Sequence, residues 1–181
     1  MSDQYVKFLA LRIYRSRDAR AFDELYELYW RRLHRYLVTK LPRPEDATEI
    51  TSEVFLRAWE YMTSSRVDSV TGIVYRIARN LVADFYRNQN SHKASESIDD
   101  HEPFLAAPGS LEQSAMVKDE AEELMVHLQS LKEEFREVIV MRFLNEMDIA
   151  EIAEALEKTP NHIRVILHRA LKALKEKARD K

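Results

Sequence analysis

Apolar residues recur every three to four positions along most of this chain, and each such run marks a helix. Phe22, Leu25, Leu28, Tyr29, Leu33, Tyr36 and Leu37 predict a helix over 21–40, with an apolar face wide enough to need partners on two sides. Leu41-Pro42-Arg43-Pro44 breaks it, because proline removes a donor and crowds the preceding turn. Ala47, Ile50, Val54, Phe55, Ala58 and Trp59 point inward from a helix over 45–62, whose outer face carries Glu45, Asp46, Glu49 and Glu53. The polar stretch 63–70 predicts a loop. Val74, Ile77, Ala78, Leu81, Val82 and Phe85 form the stripe of a helix over 71–88, and another helix over 5–16 precedes all of these. From 88 to 110 periodicity fades among Ser, Asn, Asp, Pro103, Pro108 and Gly109, the composition of a flexible linker.

Periodicity returns in the last third. Ile149, Ile152, Ala153 and Leu156 give a short helix, which Glu157 and Lys158 interrupt. Thr159-Pro160 is a helix-start signal: a hydroxyl N-cap, then a proline where its missing N–H costs nothing. The next helix turns Ile163, Ile166, Leu167, Ala170, Leu171 and Leu174 toward the first, and shows Asn161, His162, Arg164, His168, Arg169, Lys172 and Lys175 on its other face. Two short helices across a tight turn, the second polar and basic, form the geometry that presents side chains to base edges in the DNA major groove. A helical hairpin with a solvated basic face is the plainer alternative. The pattern predicts an all-α protein of two small helical domains, 1–90 and 111–181, joined by an acidic linker over 91–110, with the helix-turn-helix in the second.

Composition narrows the choice. Gly72 and Gly109 are the only glycines among 181 residues, which argues against turn-rich all-β folds and against a glycine-rich phosphate cradle. Without cysteine there is no disulfide framework and no thiolate metal site, which suits a reducing cytoplasm. The apolar run near the N-terminus is broken by Arg12 and Arg15, so neither a signal peptide nor a membrane span is expected. The six histidines never pair at helix-face spacing, no serine sits in a nucleophile elbow, and we expect no metal, cofactor or catalysis.

A net charge of −3 looks wrong for binding DNA, but the charge is segregated. Seven Lys/Arg stand against two acids over 160–181, while 95–112 holds five acids and no Lys or Arg. Phosphates respond to the local field within a Debye length of about 8–10 Å, so the average matters little. On the helix over 71–88, Arg76, Arg79, Asn80 and Arg87 lie off the apolar stripe with Tyr75 and Tyr86 beside them. Cations interleaved with rings suit single-stranded DNA, which stacks bases on aromatics. The alternative makes the tyrosines boundary core and the arginines a solvated surface. The acidic face of the helix over 45–62 is the usual pattern of a solvated helix surface, and charge alone does not establish a partner face.

Together these segments resemble the bacterial sigma factors, specifically the compact extracytoplasmic-function (ECF) group that keeps only the second and fourth regions of the larger family. Asp46-Ala47-Thr48-Glu49-Ile50-Thr51-Ser52-Glu53-Val54-Phe55, continuing to Ala58-Trp59, resembles the helix that docks on the β′ clamp helices of RNA polymerase. The resemblance implies Asp46, Glu49, Ile50, Glu53 and Val54 as the docking residues. Tyr75-Arg76-Ile77-Ala78-Arg79-Asn80-Leu81, with Asp84 and Arg87, is similar to the segment that handles the promoter minus-ten element. It implies Arg66, Asp68, Tyr75, Arg76, Arg79, Asn80, Tyr86 and Arg87 there, with the loop over 63–70 as the pocket for a flipped non-template base.

Segment 131–142, Ile149-Ala150-Glu151-Ile152-Ala153 and Leu167-His168-Arg169-Ala170 resemble the fourth region. That region reads the minus-thirty-five element in duplex form, here through Asn161, His162, Arg164, Val165, His168, Arg169 and Lys172. The resemblance further implies contact with the polymerase β flap, an anti-sigma antagonist and a cytoplasmic location without membrane insertion. Glu157 stands where a turn glycine is common, so the turn must avoid a positive φ or bear its cost. A dimeric helix-turn-helix regulator with an N-terminal sensor domain is the alternative function.

Overall fold

The computed structural model describes residues 3–93, 127–128 and 130–179, and the predicted linker beyond Lys93 lies outside them. Every regular element among the described residues is helical, and they form two compact units, one within 3–93 and one within 127–179.

The first unit is four helices: α1 (Asp3–Ser16), α2 (Ala19–Val38), α3 (Pro44–Ser64) and α4 (Val70–Lys93). Their stripes meet as predicted. Leu9 and Ile13 from α1, Leu25, Leu33 and Leu37 from α2, Val54, Ala58 and Met62 from α3, and Val74 and Ala78 from α4 are all buried. Sequence signals set the boundaries. The Asp18 carboxylate caps α2, accepting from the Ala21 N–H at 3.2 Å, and Arg12 grips the same group at 2.6 and 2.9 Å. Both contacts hold the Asp18 carboxyl below its ordinary value, the backbone N–H contributing most. Pro44 opens α3, where a missing N–H is harmless.

The predicted loop over 63–70 shrinks to 65–69. Thr63 and Ser64 continue α3 because their hydroxyls bond back to the carbonyls of Trp59 and Glu60, both at 2.9 Å. Ser69 then starts α4 by accepting from the Gly72 N–H at 2.9 Å. The helix predicted to stop at 88 runs on to Lys93, into the stretch expected to be linker. Two hydrogen bonds tie α4 to its neighbours: Tyr29 Oη with Thr71 Oγ1 at 2.9 Å, and Tyr86 Oη donating to the Lys40 carbonyl at 2.7 Å.

In the second unit α5 (Glu133–Ile139) runs into a wide π turn (Val140–Leu144), followed by α6 (Ile149–Leu156) and α7 (Pro160–Arg179). The π turn closes with the Asn145 N–H on the Val140 carbonyl at 3.0 Å, and Arg142 donates to the Met147 carbonyl at 2.8 Å. A capping box starts α6. Asp148 accepts from the Glu151 N–H at 2.8 Å, and the Glu151 carboxylate accepts from the Asp148 N–H at 2.9 Å. Leu128, Leu131, Ile139 and Ala170 form one core cluster, with Phe135, Ala173 and Leu174 packed against it. Leu171, predicted to face α6, is exposed instead.

Candidate nucleic-acid interface

The turn between α6 and α7 positions the basic helix. Glu157 adopts φ 54°, ψ 41°, so the left-handed conformation is accepted without a glycine. The Lys158 N–H then reaches the Ala153 carbonyl at 2.9 Å, closing the end of α6, and Lys158 Nζ pairs with Glu134 of α5 at 3.3 Å. The Thr159 hydroxyl accepts from the His162 N–H at 3.2 Å, the N-cap expected from the sequence.

At about 100° per residue, Ile163, Ile166 and Ala170 fall on one side of α7, and all three are buried. Asn161, His162, Arg164, Val165, His168, Arg169 and Lys172 span roughly 160° on the other side, and every one is exposed. Arg164 donates to the Asn161 side chain at 2.7 Å, so these two are already oriented as a pair. Apart from Val165 the face is polar and basic, and it begins at the N-terminal end of its helix, which matches what a major groove accepts.

The surface of α4 differs from the sequence expectation. Arg76, Asn80 and Arg87 share an outward stripe, with Arg79 at its edge, and Arg66 and Asp68 are exposed on the 65–69 loop. Tyr75 does not join them. It is 1% exposed, packed edge-on against Tyr36 with centroids 5.2 Å apart, because it lies at the margin of the α4 buried stripe. Tyr86 is half-buried with its hydroxyl committed to Lys40. Arg87 pairs with Asp84 at 3.0 Å.

On α3 the residues chosen for polymerase docking split between two faces. Val54 is 0% exposed, and Ile50 and Asp46 are buried too. Val54 and Ile50 belong to the inward stripe, and Asp46 is gripped by Arg43 at 2.7 and 3.0 Å, so none of the three is on offer to a partner. Glu49 is exposed, and half-buried Glu53 pairs with Arg57 at 2.6 Å. The outward stripe also contains Leu56, 54% exposed, which the sequence reading missed. Its signal was present: Leu56 lies seven residues from Glu49 and off the inward stripe.

Among the described residues no cluster of His, Cys, Asp and Glu could hold a metal ion, and no helix is long and apolar enough to cross a membrane.

Two family descriptions match these units. Sigma-70 region 2 covers residues 25–92 and sigma-70 region 4 covers residues 127–176, in the order and on the helices described above. The ECF RNA polymerase sigma factor SigW of Bacillus subtilis is 25% identical over 172 residues, which is 90% of this chain and 91% of that protein. The chain belongs to the sigma-70 family, in its ECF group.

Solved structures share the fold. CnrH, in complex with the cytosolic domain of CnrY, aligns with a TM-score of 0.68 at 19% identity over 95% of this chain and 96% of that one. RpoE from Bartonella quintana, in complex with the anti-sigma factor NepR, gives 0.63 at 17% identity over 87% and 96%. As a sigma factor the protein recognises promoters with RNA polymerase, and its two helical units are the two sigma-70 regions. A dimeric regulator with an N-terminal sensor domain does not fit, because region 2 occupies the unit such a sensor would need.

Proposed function

We propose that this sigma factor divides promoter recognition between α7, which reads the minus-thirty-five element as duplex, and the α4 surface with the 65–69 loop, which takes the non-template strand of the minus-ten element. The observation that carries the reading is the sidedness of α7: six polar or basic residues and Val165 are exposed opposite the buried Ile163, Ile166 and Ala170. Arg164, Arg169 and Lys172 neutralise phosphates or read base edges, and each specific base contact contributes about 1–3 kcal/mol of discrimination. On α4, Arg76, Asn80 and Arg87 follow the single strand while the loop, with Arg66 and Asp68, receives an unstacked base. Unstacking costs a few kcal/mol, so the base that fits best is selected.

Docking on the β′ clamp helices uses the outward side of α3, through Glu49, Glu53 and Leu56, and the region-4 unit approaches the β flap. The acidic segment 95–112 lies between the two units in sequence. The protein works in the cytoplasm, carries out no bond chemistry itself, and is held inactive by an anti-sigma protein, as the NepR complex of RpoE supports. Run-off transcription with core polymerase of the same organism tests the reading. We expect promoter-specific transcripts that depend on this chain and are lost when Arg164 and Arg169 become alanine. No transcript with core enzyme, together with tight binding of duplex DNA by the chain alone, would refute it.

A further inference from the structure

Folding removes Tyr75 from the α4 surface and ties down Tyr86, yet an aromatic ring does stand beside the α4 arginines. It comes from a different helix. Tyr61 lies one turn before the end of α3, is 39% exposed, and has the Arg76 guanidinium carbon 5.9 Å from its ring centroid. That separation is within reach of a cation–π contact. The Tyr61 carbonyl accepts the Ser65 N–H at 2.8 Å, so the ring sits where α3 passes into the loop bearing exposed Arg66 and Asp68. One exposed ring, an arginine at its side and a polar loop immediately after it make a compact single-strand binding element.

We propose that Tyr61 is a base-stacking residue for the non-template strand, working beside Arg76 and next to the 65–69 loop. The proposal rests on the reading of α4 as the strand-handling surface. An aromatic face accepts any base, so Tyr61 steadies the opened strand without reading it, leaving selection to the loop. A tyrosine anchored on a helix has only two side-chain torsions to fix and brings little entropic cost to stacking.

The test uses holoenzyme assembled from core polymerase and the full chain, on a promoter fragment that supports run-off transcription. Strand opening is read from permanganate reactivity of non-template thymines. A stacked base contributes about 1–3 kcal/mol, so Tyr61→Ala should lower the open-complex yield about fivefold or more. Tyr61→Phe should open like the parent, and core affinity and the Trp-fluorescence unfolding midpoint should not move. Phe8→Ala removes another exposed ring with its own arginine, Arg12 at 5.7 Å, but on α1, and should leave opening unchanged. Equal losses in Tyr61→Phe and Tyr61→Ala, or the same loss in Phe8→Ala, would overturn the stacking role. Normal opening by Tyr61→Ala alongside a defect in Asn80→Ala overturns Tyr61 and leaves the α4 reading intact. Normal opening by both overturns the α4 reading and Tyr61 with it.

Discussion

Replacing Glu157 by glycine is predicted to stabilise the region-4 unit. Glu157 sits at φ 54°, ψ 41°, where its Cβ crowds the backbone. An L-residue pays about 1–2 kcal/mol for this conformation, and glycine avoids it. Glycine also loosens the unfolded chain, which returns about 0.4–1 kcal/mol of the gain. Exposed Glu157 has an interaction of its own, and at the surface such contacts contribute at most a few tenths of a kcal/mol in most cases. The net is a gain of about 0.5–1 kcal/mol, or a few degrees in Tm for a unit this small.

The two tryptophans make the measurement selective. Trp30 and Trp59 both belong to the region-2 unit, so tryptophan fluorescence follows that unit while far-ultraviolet circular dichroism follows both. Glu157→Gly in the full chain should raise the dichroism transition of the second unit and leave the fluorescence transition in place. Glu157→Ala keeps a Cβ and should bring no gain. A midpoint that falls with glycine, or rises equally with alanine, would sink the argument that backbone strain is stored in this turn.

Further predictions concern the two interfaces and one half-buried ring. Arg164→Ala should weaken promoter binding by about 1–3 kcal/mol and relax preference at one minus-thirty-five position, and an unchanged preference in competition binding would remove it from the reading face. Glu53→Lys should reduce core-polymerase pull-down while the fluorescence midpoint stays near the parent value. Val54→Ala should do the reverse, losing about 2 kcal/mol of stability through a core cavity but no core affinity, and a docking defect in the folded variant would contradict its burial. His34 stacks on Trp30 at 4.9 Å and meets Thr48 at 3.2 Å, and burial holds its imidazole below the ordinary value of 6.5. The folded unit thus prefers the neutral ring. The stability His34 contributes is complete above about pH 6.5 and is lost as pH falls from there through the lowered folded value. His34→Gln should flatten the fluorescence midpoint over that window, and an unchanged pH slope would exclude the histidine as its source.

Much of this protein was legible in its sequence because helices announce themselves locally. The 3.6-residue period marked the stripes of α2, α3, α4, α6 and α7, and the Thr159-Pro160 start and the break at Pro42 and Pro44 were readable from residue chemistry alone. The α7 face was legible for the same reason: on a helix with one wall to cover, whatever is polar points outward. Boundaries were less so. Thr63 and Ser64 look like loop until their hydroxyls are seen satisfying their own helix, and the π turn at Val140–Leu144 leaves no periodic signature.

Tertiary structure decided which residues at the edge of a stripe face in. Tyr75 lies at the margin of its stripe, and packing against Tyr36 puts it in the core, whereas Val54 is buried on the inward stripe where periodicity had it. The same packing leaves Leu56 and Tyr61 outside and sets Tyr61 against Arg76 from another helix, fifteen residues on in sequence. Periodicity assigns a residue to a face of its own helix. Which neighbour covers that face, and which rings remain for a partner, depends on contacts between segments that no local pattern encodes.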